Sequence, residues 1–377
     1  MNERVKFLEN HENKIWQGAN GKWYTYLPDA NSKDGRKLVK RSSKKSIEDS
    51  IVEYYKQMET EPYIKDIFYM WIDSKLSYGE ILKQTYDRYE TDFYRFFEKS
   101  SLYNMKFKYI TEPILEDFIK TSIHDKKLTS KGWANLRTLI NGIFKYAKKQ
   151  GYTKISITQF MGDLDISKKS FRKVIKSDEE MVFTDEEIDM IVNYINNAEP
   201  SIINLGIILS FQAGLRSGEL SALKYGDLKG HILTVSKTEI RYKDANDGHY
   251  VFEVRECTKG EDGIRNVVVT DFVIKTMKQA RRLNPFGEYL FMRDGQRIKG
   301  KAFTVKLVKI CKILGITPRS IHKARKTYGT KLLNAGINEK LIEKQMGHTD
   351  IATTKGYYFY NNKKMEETID IITSAIN

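Results

Sequence analysis

Residues 346–360 read MGHTDIATTKGYYFY, with one histidine, two adjacent threonines and tyrosines at 357, 358 and 360. The chain has 23 tyrosines, so composition alone yields such clusters, and buried aromatics ordinarily serve packing. Whether one of these tyrosines does chemistry depends on what lies upstream. Three other stretches concentrate reactive side chains: AGLRSGELSALKYGDL at 213–228, TKGEDGIRNVVV at 258–269 and SIHKARKTYGTKLL at 320–333. Taken singly, each has a plain structural explanation. Arg216 and Glu219 stand three apart, the spacing of a helix-surface ion pair. Lys259 is a turn lysine in a lysine-rich chain. His322 and Arg325 fit a solvated helix face, and His348 after Gly347 fits a turn.

The totals narrow the partner. At 377 residues the chain is too long for one ordinary domain and is expected to hold about two or three. Lys and Arg number 64 against 49 Asp and Glu, a formal charge of +15, which favours a polyanion: nucleic acid or an anionic membrane surface. No run of about twenty apolar residues exists, so a spanning helix is excluded. The opening MNERVKFLENHENK lacks the apolar core of a secretory signal. DNA or RNA is left as the favoured polyanion, with no membrane partner. The two cysteines, Cys257 and Cys311, suit a reducing cytoplasm and form no metal-like spacing. The six histidines make no paired-ligand pattern, and no glycine-rich phosphate loop supports ATP chemistry. No metal and no cofactor is expected.

Along the chain, residues 1–60 read as a small sheet plus one helix. GKWYTYLPD alternates, NSKDG turns, and RKLVKRSSKK returns as a second strand. From Ser46, helical spacing puts Ile47, Ile51, Tyr54 and Tyr55 on one side. Arg36, Lys37, Lys40, Arg41, Lys44 and Lys45 charge this module, as a solvated edge or a DNA-binding surface. Residues 62–165 read as helices with apolar residues at i, i+3, i+4 spacing. In TSKGWANLRTLINGIFKYAKKQG, Thr129 or Ser130 is the expected N-cap and Gly151 the stop. Lys131, Arg137, Lys145, Lys148 and Lys149 lie outside its apolar stripe, on a solvated or phosphate-facing surface. Residues 166–182 are charged, without a clear apolar face, and read as a linker. TDEE at 184–187 is a capping box opening the next domain, 183–377, in which helices surround one antiparallel β region.

In this order, an arginine in GLRxxEL, a lysine in a β-hairpin, HxxR and then GHxxxxTTxxY resemble the tyrosine recombinase family, the integrases of phages and transposons. The resemblance in motif covers residues 184–360. Upstream it is architectural: residues 1–60 resemble an arm-type DNA-binding domain and 62–165 a helical, SAM-like core-binding domain. Met346 stands where leucine is usual and Tyr225 where tryptophan is common. The implied fold is multidomain and mostly α with small antiparallel β sheets, ending in an α+β catalytic domain of the DNA breaking-rejoining type. The implied nucleophile lies nine positions after His348, at Tyr357; a shift of register by one would make it Tyr358. The implied catalytic set is Arg216, Lys259, His322, Arg325, His348 and Tyr357, with Glu219 supporting.

The residue types suit that chemistry. A tyrosine hydroxyl can attack a DNA phosphodiester and store the bond as a 3′-phosphotyrosyl linkage, so resealing needs no ATP. Two guanidiniums suit the charge that gathers on the non-bridging oxygens. Histidines can donate hydrogen bonds to the phosphate or carry the nucleophile's proton. The resemblance gives Lys259 the role of protonating the leaving 5′ oxygen. It also implies a bacterial, nucleoid-associated site-specific recombinase of a mobile element. Such an enzyme works as a homotetramer on element ends, attachment sites and target DNA through a Holliday junction, with or without an accessory excision factor or host DNA-bending protein. Ile369, Ile372 and Ile376 fall at helical spacing after the nucleophile, in a helix that packs on its own domain or docks on a neighbouring subunit. Two other readings use the same scaffold: a topoisomerase IB-like nicking enzyme, and a non-catalytic DNA-binding protein.

Overall fold

Alternation and helical periodicity build most of what is seen in the computed structural model, which describes residues 3–29, 32, 34–174, 177–244, 246–256, 264–347 and 373. The chain forms two compact units, Met1–Val174 and Ile175–Asn377.

In the first unit, strands Trp23–Pro28 and Arg36–Arg41 pair antiparallel, with Trp23 opposite Arg41 and Pro28 opposite Arg36. Trp16–Gln17 adds a short third strand beside Trp23–Pro28. The helix Lys44–Thr60 buries Ile47 and Ile51 completely. A helix at Glu3–Glu9, not foreseen from the sequence, buries Phe7, whose ring stacks on Tyr55. Residues 62–165, set apart from this module in the sequence reading, lie in the same compact unit. Their helices are Ile64–Ser77, Lys83–Phe97, Glu112–Asp125, Ser130–Lys149 and Ile157–Asp163. Thr129 is the N-cap of the fourth, its side chain accepting from Gly132 N at 3.1 Å. An aromatic column runs through this core: Phe68 stacks on Phe93 at 4.1 Å between centroids, and Phe93 on Phe97 at 4.7 Å.

The second unit begins inside the expected linker. Residues Asp178–Met181 form one helical turn, and Val182 and Phe183 are buried. The capping box is present: Thr184 N donates to Glu187 Oε2 at 2.9 Å and Glu187 N to Thr184 Oγ1 at 3.2 Å. Arg319 binds the same carboxylate at 2.8 Å and lies over the Phe183 ring, tying the entry of this unit to its C-terminal half. The apolar helix Ile202–Ala213 runs through the core, where Ile207, Leu209 and Phe211 meet Phe303 and Leu307 of Gly300–Ile313 and Ala324 of Ile321–Asn334. The β region resolves into two pieces. Ile232–Val235 lies between Leu228–Lys229 and Arg265–Val268, while Lys237–Lys243 and Tyr250–Glu256 form a separate hairpin. Among the described residues no helix is long and apolar enough to cross a membrane, and no group of His, Cys, Asp and Glu is placed to hold a metal.

The aromatic column gives a direct test of the helical core. Phe93→Ala removes the ring between two stacked neighbours and is expected to cost about 3–5 kcal/mol. The loss should read as a lower urea midpoint for the unfolding of the first unit, with little change in the second.

Candidate active site around Glu219

The helix Ile202–Ala213 ends at Gly214, in the left-handed region at φ 60°. A Cβ here would also meet Tyr328 Cδ1 at 2.4 Å, so position 214 requires glycine twice over. The chain then turns, and Arg216 is the N-cap of the short helix Ser217–Ala222. Glu219, three residues on, accepts from Arg216 N at 2.8 Å through Oε2 and from Arg216 Nη1 at 2.8 Å through Oε1. The spacing that reads as a surface ion pair in sequence is therefore a buried capping interaction, for Glu219 is only 4% exposed.

Glu219 gathers two further arginines. Arg265 meets it fork to fork, Nη1 to Oε1 and Nη2 to Oε2, both at 2.8 Å. Arg325 places Nη1 3.9 Å from Oε2. Three guanidiniums thus surround one carboxylate, leaving a local excess of positive charge. Burial pushes the Glu219 carboxyl up. The Arg265 hydrogen bonds and charge, with the charges of Arg325 and Arg216, outweigh it and hold the group at about 2.

The end of the helix Glu339–Met346 completes the cluster. Arg325 donates to Met346 O and, on its other side, to Gly214 O. Arg216 Nη2 donates to Gly347 O at 3.2 Å, and Arg265 Nε to Gln345 O at 3.2 Å. Three consecutive carbonyls at a helix C-terminus, where partial negative charge collects, therefore each hold a different arginine. Gly347 has φ 64°, and a Cβ there would come within 2.7 Å of Arg265 Cδ. The Gln345 side chain pairs with the open edge of Arg265–Val268, donating to Val268 O at 2.7 Å and accepting from Val268 N at 3.0 Å. This locks the helix to the strand that carries Arg265.

Of the residues singled out from the sequence, Arg216, Glu219 and Arg325 converge here. Arg325 is 1% exposed, while the Arg216 side chain keeps a third of its surface open. His322 lies one helical turn before Arg325. Surrounding atoms, then Lys326, Arg325, Lys323 and Arg216, push it down to about 4. The residue is exposed, and with its pKa lowered so far the imidazole is neutral at pH 7. Lys259, His348 and Tyr357 lie outside the described residues.

Arg265 was missed in the sequence, though a signal existed. Arg265, Val267 and Val269 share one parity of a strand, and Val267 and Val269 are fully apolar, so an inward arginine follows that has to find a carboxylate. The cations set aside for DNA divide by geometry. Lys131, Arg137, Lys145 and Lys148 are all exposed on Ser130–Lys149, opposite buried Leu136, Leu139, Ile140 and Ile143. At 3.6 residues per turn they fall within an arc of about 120°. Arg36, Lys37, Lys40 and Arg41 split between the two faces of their strand. Arg36 lies over Tyr26 at 4.4 Å and Lys40 over Tyr24 at 5.9 Å, on a face that also carries Trp16. Arg41 instead bonds Ser50 on the helix Lys44–Thr60 at 2.9 Å, and Lys37 shares its side.

Glu219 sets a pH signature. An acid held below its ordinary 4.5 stabilises the fold fully above that value and loses the contribution as pH falls toward about 2. The difference in unfolding free energy between wild type and Glu219→Gln is expected to include about 3 kcal/mol from this source at neutral pH. It should shrink below about pH 4.5. Urea titrations at a series of pH values read it directly.

The family model for the phage integrase family matches residues 181–365. A tyrosine recombinase XerC-like protein of Caldanaerobacter subterraneus subsp. tengcongensis is 24% identical over 300 residues, 73% of each chain. The ICEBs1 integrase of Bacillus subtilis is 23% identical over 310 residues, 78% of this chain and 77% of that one. In fold, the chain is similar to the Tn1549 transposon integrase in complex with transposon right end DNA, at 16% identity and a TM-score of 0.63 over 82% of this chain and 99% of that one. A lambda integrase dimer bound to a core site has a TM-score of 0.55 at 14% identity, covering 94% of this chain and all of that one. Residues 181–365, which carry the arginine cluster and the GHxxxxTTxxY stretch, form a phage integrase family domain, the domain type of the tyrosine recombinases.

Proposed function

We propose that this chain is the site-specific DNA recombinase of a mobile element, an integrase that cuts and rejoins strands through a 3′-phosphotyrosyl intermediate. The observation that carries this reading is the convergence of Arg216, Arg265 and Arg325 on buried Glu219, with Arg216 also holding the carbonyl of Gly347, the first residue of the GHxxxxTTxxY stretch. Excess positive charge fixed by a carboxylate and by backbone carbonyls is preorganised for an anion whose charge grows during reaction.

Tyr357 attacks the scissile phosphorus, the bond to the 5′ oxygen breaks, and the strand is held as a phosphodiester of the tyrosine. Arg216 and Arg325 stabilise the non-bridging oxygens. Lys259 gives a proton to the departing 5′ oxygen. His322, neutral before DNA arrives, is a hydrogen-bond donor to the phosphate or a carrier of the tyrosine proton, and His348 shares these tasks. An arriving phosphate raises the His322 pKa by its charge. Glu219 and Arg265 hold the guanidiniums in place. Because one phosphodiester replaces another, the step is near isoenergetic and reversible, which suits strand exchange through a Holliday junction.

Residues 1–60 act as the arm-type DNA-binding domain through the face of Trp16, Tyr24, Tyr26, Arg36 and Lys40. The exposed cations of Ser130–Lys149 contact core-site phosphates. A homotetramer links its members through the segment after the nucleophile that carries Ile369, Ile372 and Ile376, and an accessory excision factor or host DNA-bending protein sets direction. The setting is the bacterial cytoplasm, on the nucleoid. The complete set of matching positions favours this reading over a non-catalytic DNA-binding protein. The N-terminal module favours it over a monomeric topoisomerase IB-like nicking enzyme.

The test is a nicked suicide DNA carrying the element end, incubated with wild type and Tyr357→Phe. A protein–DNA adduct on a denaturing gel is expected from wild type and absent from the variant, with the linked peptide mapping to residues 356–363. An adduct that persists in Tyr357→Phe moves the nucleophile to Tyr358 or Tyr360. Binding without any adduct in wild type, on element-end and random DNA alike, supports the non-catalytic reading.

A further inference from the structure

The hairpin Lys237–Lys243/Tyr250–Glu256 is held at its root by a polar cluster that the arginine site does not use. Glu239, in its first strand, accepts at Oε1 from Gly300 N at 2.9 Å, at the start of the helix Gly300–Ile313. At Oε2 it pairs with Arg297 Nη1, and Ser221 Oγ lies 3.0 Å away. Arg297 also donates to Ser221 Oγ and, through Nη2, to Phe252 O of the second strand at 3.3 Å. Ser221 Oγ closes the cluster on Ile298 O at 2.6 Å. One guanidinium and one carboxylate therefore join both strands of the hairpin, a helix N-terminus and the helix Ser217–Ala222.

That last helix starts one residue after Arg216 and contains Glu219. It also packs against the hairpin at Gly218, where no side chain fits. A Cβ on Gly218 would meet Thr238 Oγ1 at 2.6 Å and Glu239 O at 2.8 Å. The Glu239 side chain is 8% exposed and that of Arg297 14%. A buried ion pair is seldom better for stability than apolar packing, but a fork that binds four segments fixes their relative placement closely. The second strand ends at Glu256, three positions before Lys259.

We propose that Glu239 and Arg297 are positioning residues for strand cleavage. They fix the root of the hairpin to the Arg216 helix and so set the geometry of the leaving-group step. The inference rests on the reading of Lys259 as the acid for that step. In the cleavage step the P–O5′ bond breaks, its electron pair goes to the 5′ oxygen, and a proton from Lys259 makes the 5′ hydroxyl. Replacing that bridging oxygen by sulfur gives a leaving thiolate that needs no proton. A defect confined to proton delivery is cured by this replacement, whereas a damaged arginine site or a loosened fold is not.

The experiment measures single-turnover adduct formation on suicide DNA with an ordinary phosphodiester or a 5′-bridging phosphorothiolate at the scissile position. It compares wild type, Glu239→Gln, Arg297→Lys, Arg297→Ala and Lys259→Ala, with DNA binding measured alongside. The two milder variants keep the test open where Arg297→Ala does not fold. The expected result is a loss of roughly 10-fold or more on the phosphodiester for the Glu239 and Arg297 variants, part of the roughly 10²–10⁴-fold that a general acid contributes, and rates near wild type on the phosphorothiolate. Rescue of Lys259→Ala without rescue of the Glu239 and Arg297 variants overturns the inference and leaves the Lys259 reading standing. Failure to rescue Lys259→Ala overturns both. Full activity of Glu239→Gln and Arg297→Lys on the phosphodiester also overturns it.

Discussion

One buried carboxylate organises the second unit. Three guanidiniums cannot approach one another without a counter-charge, and Glu219 supplies it while nearly excluded from water. The fork-to-fork geometry with Arg265 is what keeps Glu219 ionised against its own burial. From that pair follow the need for glycine at 347, where Arg265 passes too close for a side chain, and the backbone bond that Arg216 makes there. Arg325, buried between Gly214 O and Met346 O, ties the end of one helix to the end of another. The site is thus assembled from chain turns more than a hundred residues apart, held by a charge balance that leaves positive charge in excess.

The same economy shapes the rest of the unit. Polar side chains substitute for backbone where secondary structure ends: Glu187 and Arg319 at the entry, Gln345 at a sheet edge, Glu239 and Arg297 at the hairpin root. Each closes a junction that apolar packing would leave free to slide. In the first unit, apolar and aromatic contacts do that work, and cations are sorted to the outside of Ser130–Lys149 and to the aromatic face of the N-terminal sheet.

Much of this was legible in the sequence because local rules decide it. The i, i+3 relation of Arg216 and Glu219, the TDEE box, the alternation of 232–235 and 265–268, and the apolar stripe of Ser130–Lys149 are all short-range. What was not legible is long-range. The partnership of Arg265 with Glu219 spans 46 positions, and only the parity of RNVVV hints that this arginine faces inward. The division of Arg36 and Lys40 from Lys37 and Arg41 follows from which face the helix Lys44–Thr60 covers, which composition does not carry. The helix Glu3–Glu9 holds a single buried residue, Phe7, too little for a periodicity to show.

The central claim is that the arginines around Glu219 serve the charge of a phosphate in transition. It is tested most directly by adduct formation for wild type and Arg325→Ala on DNA with either an ordinary phosphodiester or a neutral methylphosphonate at the scissile position. Charge stabilisation predicts that Arg325→Ala loses roughly 10²–10³-fold on the phosphodiester and far less on the methylphosphonate, where a negative charge no longer has to be met. Equal losses on both substrates would contradict the account and reduce Arg325 to a structural tie between Gly214 and Met346.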